Sequence, residues 1–237
     1  MSMTIRENVE AVREAMRLAC QRSGRAESEV KLIAVTKYVD TARIQQAVDA
    51  GVTEIGENRA QEFTEKLNFY KQNQLRAHFI GQLQTNKVKY VCGKADLIQS
   101  VDREPLLDAI AAYAERNGVI QDITIEVNIG REMQKGGVTP EALPALADRI
   151  GALSNVRLRG LMCVPPAIEQ EAVRPYFREM RSLFERMQRM YPTLPIDTLS
   201  MGMSHDFTTA IEEGATTVRV GTAIFGPRTI SGGKQNG

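Results

Sequence analysis

The sequence predicts an α/β fold: a single-domain (β/α)8 TIM barrel with one extra helix at its N-terminus. Strand-like and helix-like segments alternate strictly, which favours parallel strands joined by right-handed crossovers. Eight such strands fit within 237 residues, and this number favours a closed barrel over the alternative, an open doubly wound sheet. No linker-like composition divides the chain. We therefore expect one domain at residues 1–230, followed by a disordered polar tail at 231–237.

The extra helix is predicted from the first residues of the chain. Thr4 and Glu7 have the spacing of a capping box. Apolar residues then recur at steps of three and four, which is the period of an amphipathic helix, until Gly24. This apolar stripe consists of Ile5, Val9, Val12, Met16 and Ala19. Because the segment is highly charged, it does not resemble a signal peptide.

The remaining elements follow from hydrophobic periodicity and from the residues that start and stop helices. The predicted strands cover residues 32–37, 54–56, 77–80, 96–99, 122–129, 156–162, 196–199 and 217–220. The predicted helices cover residues 41–50, 59–70, 85–91, 104–117, 140–152, 177–190 and 204–213. Pro140 opens its helix because proline is favoured in a first turn.

Charge and cysteine content exclude several classes of function. The net charge is +1, from 30 basic and 29 acidic residues, so no global field favours nucleic acid or an anionic membrane. The three cysteines are far apart in the sequence and odd in number, which indicates neither a disulfide framework nor a zinc site. No apolar run of 18 residues is present to span a membrane. These features predict a cytoplasmic protein without a metal.

Lys37 is the strongest candidate for chemistry. It ends an apolar strand-like run that begins at Leu32, which places its stem against apolar walls and its amine at the rim of the core. Desolvation disfavours the ammonium form, so the amine becomes available to form a Schiff base with an aldehyde. The alternative is a strand-end lysine that simply reaches water. Class I aldolases also use a barrel Schiff-base lysine, typically on a late strand, so the first-strand position argues against that chemistry.

Two small-residue turns follow the last two strands, where barrels of this kind commonly bind phosphate. The turn Ser200-Met201-Gly202-Met203-Ser204 runs directly into a helix, and Gly221-Thr222 follows strand eight. Glycine permits close backbone approach, serine and threonine offer hydroxyls, and a helix N-terminus presents free N–H groups. For one turn alone, simple capping and turning is the better explanation. The two turns together favour a phosphate site.

Arg219 lies between Val218 and Val220 in the last strand. Period-two alternation predicts that the guanidinium points into the barrel mouth if the valines face the helices. An unpaired buried guanidinium is costly, so it should meet a carboxylate or a ligand acceptor. An internal salt bridge is the alternative to a ligand contact.

The other polar candidates are weaker. Asn58 follows strand two and either caps a helix or contacts a ligand, whereas His78 and His205 are expected to be packed or at the surface. A basic stretch that contains Lys87, Lys89 and Lys94 is expected to be a solvated face.

A set of motifs then resembles a known family. The motifs are Ala34-Val35-Thr36-Lys37, Gly56-Glu57-Asn58, the stretch from His78 to Lys87, Gly160-Leu161-Met162, the stretch from Leu199 to Ser204 and the stretch from Arg219 to Gly226. From about residue 5 to 228, the chain resembles the pyridoxal phosphate homeostasis protein family. The resemblance implies a barrel like the N-terminal domain of alanine racemase, with pyridoxal 5′-phosphate (PLP) bound as a Schiff base.

The resemblance also implies roles for individual residues. Lys37 matches the Schiff-base lysine, and Arg219 matches the arginine that faces the pyridine nitrogen. Asn58 matches a residue near the cofactor, and Lys135 fits a loop lysine that could bind or pass on PLP as a secondary contact. The residues that match the phosphate cradle are Ser200, Gly202, Met203, Ser204, Gly221 and Thr222.

The function implied is a carrier and buffer of the vitamin B6 cofactor without efficient catalysis. An arginine opposite the pyridine nitrogen keeps that nitrogen unprotonated and weakens carbanion stabilisation. The alternative is a single-domain PLP-dependent racemase of weak activity, although the opposing β domain of racemases is not expected here. A Schiff-base aldolase for phosphorylated sugars ranks third. We expect a monomer in the cytoplasm, with apo PLP-dependent enzymes as recipients and with no metal, membrane or nucleic-acid partner.

Overall fold

The computed structural model describes residues 3–227. The predicted domain end at 230 and the predicted tail at 231–237 lie outside the described residues. The strands are β1 (Lys31–Val35), β2 (Glu54–Glu57), β3 (Arg76–Phe79), β4 (Leu97–Val101), β5 (Gln121–Glu126), β6 (Val156–Met162), β7 (Thr198–Ser200) and β8 (Thr217–Val220). All pair in parallel with their neighbours in chain order, and β8 pairs with β1, so the barrel is closed. The predicted fold class is confirmed.

Helices follow the strands on the outside of the barrel. They are α1 (Ile5–Arg22), α2 (Thr41–Asp49), α3 (Ala60–Gln72), α4 (Val88–Val91), α5 (Glu104–Asn117), α6 (Leu143–Gly151), α7 (Arg174–Met190), α8 (Phe207–Glu212) and α9 (Thr222–Phe225). Single 3₁₀ turns at Glu27–Glu29 and Thr85–Lys87 precede β1 and α4. The short α9 was not predicted.

The extra helix α1 covers the seam where the barrel closes. Its predicted capping box is present, because Thr4 Oγ1 accepts from the Glu7 N–H at 3.2 Å and Glu7 Oε2 accepts from the Thr4 N–H at 2.6 Å. The apolar stripe is buried against α2, α8 and α9. Asn8 Nδ2 also donates to the Ile224 carbonyl at 2.8 Å, which ties the first helix to the chain that follows β8.

The loop after β5 is longer than predicted. The strand ends at Glu126 and not at residue 129, because the chain turns there and leaves only an isolated bridge between Val127 and Val138. Asn128 Nδ2 donates to the Glu132 carbonyl at 2.9 Å, which folds the loop on itself. The helix predicted from Pro140 begins at Leu143, after a turn in which Ala142 N–H bonds to Thr139.

Two other helices begin later than predicted. The segment predicted as a helix over 85–91 is a 3₁₀ turn followed by the four-residue α4. The helix predicted from Ser204 begins at Phe207, because Asp206 Oδ1 accepts from the Met203 N–H at 2.5 Å and holds the intervening residues in a turn.

Two buried regions lie on either side of the strands. Between strands and helices the packing is apolar, as where Phe63 and Phe79 meet edge to face with ring centroids 6.3 Å apart. Inside the barrel several side chains are polar, among them the buried Gln99, Ser200 and Arg219. Within residues 3–227, no helix combines the length and the apolar character needed to cross a bilayer.

Candidate functional site at the barrel mouth

Lys37 lies in the turn directly after β1, at the carboxyl ends of the strands. Alternate residues of a strand share one face, so Lys37 continues the inward face of Ile33 and Val35. Its side chain is half-buried. Ile33 pairs in register with Arg219 of β8, whose side chain bonds to Ser200 inside the barrel, so Ile33 faces inward as well. Lys37 therefore lies at the inner rim, where catalytic and ligand-binding residues of this fold are found.

The turn that carries Lys37 is held on both sides by helix α3. Lys66 Nζ donates to the Thr36 carbonyl at 2.8 Å, and the Tyr38 N–H donates to Glu62 Oε2 at 2.7 Å. Tyr38 adopts the left-handed region with φ of +61°, which is uncommon for a bulky residue. These contacts fix the backbone immediately before and after Lys37.

Asn58 reaches the same rim from β2. Its Oδ1 is buried and has no hydrogen-bond partner among the described residues. The backbone of Asn58 also lies against Gly81, because a Cβ built on Gly81 would come 2.2 Å from the Asn58 carbonyl oxygen. An unsatisfied buried carbonyl oxygen costs free energy, so Asn58 presents an acceptor suited to a ligand donor or an ordered water.

Arg219 lies inside the barrel, in the direction expected from its alternation with the two valines. It is 3% exposed, and its Nη1 and Nη2 donate to Ser200 Oγ at 2.6 Å and to the Cys163 carbonyl at 2.8 Å. Neither partner is a carboxylate, so these contacts are not the internal salt bridge considered from the sequence. Burial lowers the pKa of Arg219, partly offset by Glu126 and Asp206. A guanidinium only donates, and some of its five N–H groups remain for a ligand.

The turns after β7 and β8 meet at Ser204. Its Oγ accepts from the N–H groups of Gly221 and Ala223 at 3.2 and 3.3 Å. Gly202 adopts φ of +91°, and a Cβ there would lie 2.5 Å from Ala210 Cβ, so this turn requires glycine. Thr222 is exposed at the start of α9. The result is a compact cluster of hydroxyl and N–H groups.

Two residues of the predicted phosphate cradle are engaged elsewhere. Ser200 is fully buried, and its hydroxyl donates to Gln99 Oε1 at 2.7 Å inside the barrel. The Met203 N–H donates to Asp206, and burial raises the pKa of that carboxyl. Ser204, Gly221 and Thr222 lie together at the turns themselves.

Lys135 is on the loop after β5. Its Nζ donates to the Pro165 carbonyl at 2.9 Å and forms an ion pair with Glu132 Oε2 at 2.5 Å. The lysine thus ties the loop after β5 to the loop after β6. Its predicted contact with a cofactor stays a prediction.

The weaker sequence candidates lie inside the barrel or at its surface. His78 is 4% exposed, and His205 is exposed. The amines of Lys87 and Lys89 lie over the Tyr90 ring at 5.6 and 5.1 Å from its centroid.

The chain matches known proteins over nearly its whole length. Residues 5–229 match the alanine racemase N-terminal domain family. A pyridoxal phosphate homeostasis protein from Aquifex aeolicus is 49% identical over 223 residues, which cover 94% of this chain and 97% of that protein. Another, from Pasteurella multocida, is 40% identical over 232 residues, which cover 97% of this chain and all of that protein. The chain belongs to the pyridoxal phosphate homeostasis protein family. The family predicted from the motifs is confirmed.

Among solved structures, PipY of Synechococcus elongatus with PLP bound is similar to this member of the pyridoxal phosphate homeostasis protein family. It is 34% identical with a TM-score of 0.77, and the match covers 90% of this chain and 99% of that chain. PipY thus binds PLP on a barrel of the same kind.

Sequence reasoning missed three buried polar groups in this homeostasis-family chain. Glu57, fully buried in β2, accepts from Thr36, Lys66 and Tyr70 at 2.7 to 2.8 Å. Gln99 is a residue of β4, and its side chain is fully buried. Burial raises the pKa of Glu126 to about 7, an effect that Asp102 increases and Arg219 opposes. A polar residue within an apolar strand pattern is the only sign that the sequence gives of such groups.

Proposed function

We propose that this protein binds PLP, holds it through Lys37 as a Schiff base, and serves vitamin B6 homeostasis inside the cell as a carrier and buffer. The proposal rests on which chemical groups the chain places at the inner rim of the barrel. A lysine after β1, a buried donor-only arginine on β8 and a hydroxyl–amide cluster at the last two turns lie toward the carboxyl ends of the strands. An aldehyde, a ring nitrogen and a phosphate are the three parts of PLP that such groups recognise.

The chemistry of these donors fits PLP. Ser204 Oγ accepts from Gly221 and Ala223, and a phosphate oxygen is a stronger acceptor for the same N–H groups. Asn58 Oδ1 is a buried acceptor that lacks a partner among residues 3–227. Arg219 supplies donors to a ring nitrogen. We therefore assign the phosphate to Ser204, Gly202, Gly221 and Thr222, with Ser200 and Met203 supporting these groups from behind.

The donor opposite the ring nitrogen favours a carrier over a catalyst. PLP is the strongest electron sink when its nitrogen is protonated, and a carboxylate partner favours that protonation. Arg219 is donor-only and leaves the nitrogen unprotonated. Lys37 moves a proton on one face, whereas racemisation needs proton transfer on both faces. Both arguments support holding and release of PLP over efficient turnover.

Delivery to other proteins is part of the proposal. We propose that the protein is a cytoplasmic monomer and that apo PLP-dependent enzymes receive its cofactor. Lys135, on the loop after β5, is the proposed second contact for PLP during release. Its present partners are the Glu132 carboxylate and the Pro165 carbonyl, and binding of PLP would replace these contacts.

Mixing experiments test delivery. PLP-loaded protein is mixed with an apo PLP-dependent enzyme, and recovery of that enzyme's activity is compared with spontaneous PLP release into a chemical trap. Directed delivery predicts recovery faster than release, and Lys135→Ala should slow recovery while the amount of bound PLP stays the same. Recovery at the release rate would exclude directed delivery, and robust turnover of an amino-acid enantiomer would contradict the carrier function.

A further inference from the structure

Five buried side chains form a continuous hydrogen-bonded chain through the barrel. Arg219 Nη1 bonds to Ser200 Oγ at 2.6 Å, and Ser200 Oγ bonds to Gln99 Oε1 at 2.7 Å. Gln99 Nε2 bonds to His78 Nδ1 at 3.3 Å, and His78 Nε2 bonds to Glu54 Oε2 at 3.0 Å. Each of the five is at most 8% exposed. We call this set, Arg219, Ser200, Gln99, His78 and Glu54, the interior chain.

The interior chain links the two ends of the barrel. Arg219 lies near the mouth, on the inward face of β8. Glu54 is the first residue of β2 and lines a small cavity at the opposite end with Lys31, Arg76 and Asp122. Gln99 and Ser200 are 101 residues apart in sequence, so only closure of the barrel brings them together.

The chemistry of the two ends fixes the direction of every hydrogen bond between them. Arg219 can only donate, so Ser200 accepts from it and directs its own proton to the carbonyl oxygen of Gln99. The Gln99 amide nitrogen then faces His78 and donates to Nδ1, which must be unprotonated. The remaining His78 proton is therefore on Nε2 and is donated to Glu54.

Glu54 suits the accepting end of the interior chain. Lys31 and Arg76 line the same cavity as Glu54, and their positive charges favour its ionised form. An ionised carboxylate only accepts hydrogen bonds. A donor-only residue at one end and an acceptor-only residue at the other leave a single hydrogen-bonding state for the three residues between them.

We propose that Glu54, His78 and Gln99 are positioning residues that act through Ser200 to aim the Arg219 guanidinium at the ring nitrogen of PLP. This rests on the proposed function for the contact between Arg219 and PLP. Hydrogen bonds in series polarise one another, so a ligand that accepts from Arg219 alters the bonds further along the chain. The electronic state of the bound cofactor thus depends on residues at the far end of the barrel.

Nitrogen NMR of the two histidines tests the proposal on the wild-type protein. The chain contains only His78 and His205, so labelled histidine gives two sets of nitrogen resonances. With ¹⁵N-labelled histidine, we expect His78 to carry its proton on Nε2 without PLP. On addition of PLP, we expect its Nδ1 resonance to shift. A proton on Nδ1, or an unchanged His78 resonance in PLP-loaded protein, would overturn the proposal.

Gln99→Met removes both side-chain hydrogen bonds at the centre of the interior chain with little change in volume. We expect a shifted visible absorption band of bound PLP and a PLP dissociation constant raised about fivefold to tenfold. Thr124→Val is the matched control, since Thr124 Oγ1 donates to the Gln99 main-chain carbonyl at 2.9 Å and is fully buried. This control should leave the absorption band and the dissociation constant as in wild type.

The outcomes separate the two proposals. If PLP does not bind the wild-type protein, the proposed function fails, while the His78 tautomer still reports whether the interior chain has the stated direction. If PLP binds with the same band and affinity in Gln99→Met, the positioning role fails alone. Should Gln99→Met not fold, Glu54→Gln and Glu54→Leu replace it. Glutamine keeps an acceptor for His78 and should retain the absorption band, whereas leucine should shift it.

Discussion

Glu126 is a buried carboxyl group at the carboxyl end of β5 and is 9% exposed. Burial raises its pKa to about 7, against an ordinary value of 4.5. The folded protein therefore holds a proton on Glu126 that the unfolded chain releases between these two values. Because the unfolded state binds fewer protons in this range, the free energy of unfolding falls as pH rises from about 4.5 to 7.

Replacement of Glu126 by glutamine removes this pH dependence. At pH 8, Glu126→Gln should raise the free energy of unfolding by up to about 3 kcal/mol, and at pH 5 by much less. Urea unfolding at the two pH values measures both differences. Glu10→Gln, at an exposed site on α1, is the control and should show neither change. An equal gain for Glu126→Gln at both pH values would show that the carboxyl does not titrate as described.

At the scale of elements, helix α3 supports the turn that carries Lys37. Lys66, 11% exposed in its side chain, pairs with the fully buried Glu57 at 2.8 Å and with Glu62 at 3.2 Å. Tyr70 donates to the same Glu57 oxygen at 2.8 Å, and burial followed by the charge of Glu57 raises the Tyr70 pKa. One helix thus neutralises a buried carboxylate of β2 and anchors the Thr36 carbonyl beside Lys37.

Loss of Lys66 leaves Glu57 buried without a cation. Lys66→Met should lower the free energy of unfolding by about 3–5 kcal/mol, because the uncompensated charge remains in the core. The same change should weaken PLP retention, since the Lys37 turn loses an anchor. Tyr70→Phe removes one hydrogen bond and should cost about 1 kcal/mol. Denaturant unfolding of both variants, with PLP absent, separates the two effects. A cost for Lys66→Met no larger than that of Tyr70→Phe would contradict this account.

At the scale of the whole molecule, closure of the barrel determines which side chains meet. Strand–helix alternation predicted all eight strands and the order in which they pair, because hydrophobic periodicity is a local property. Element ends were less predictable. The helix expected from Pro140 starts at Leu143, and the strand expected to reach Ile129 ends at Glu126. Side-chain hydrogen bonds in the adjoining turns decide those ends, and periodicity does not record them.

The candidate site was likewise predictable from the sequence only in part. Lys37, Asn58 and Arg219 could be proposed from sequence because the carboxyl ends of parallel strands meet at one rim. The hydrogen-bond partners of Arg219 could not be predicted from the sequence. Gln99 and Ser200 come from strands that are far apart in sequence and face each other only across the closed barrel. Local patterns therefore indicate which residues reach the mouth, and the fold alone determines what holds them there.

Covalent trapping tests the central claim most directly. The PLP-loaded protein is reduced with borohydride, digested, and mapped by mass spectrometry. The predicted result is one stable PLP adduct on the peptide that contains Lys37, present in Lys135→Ala and lost, together with the visible absorption band, in Lys37→Ala. An adduct on Lys135 or another lysine, with Lys37 unmodified, would contradict the account.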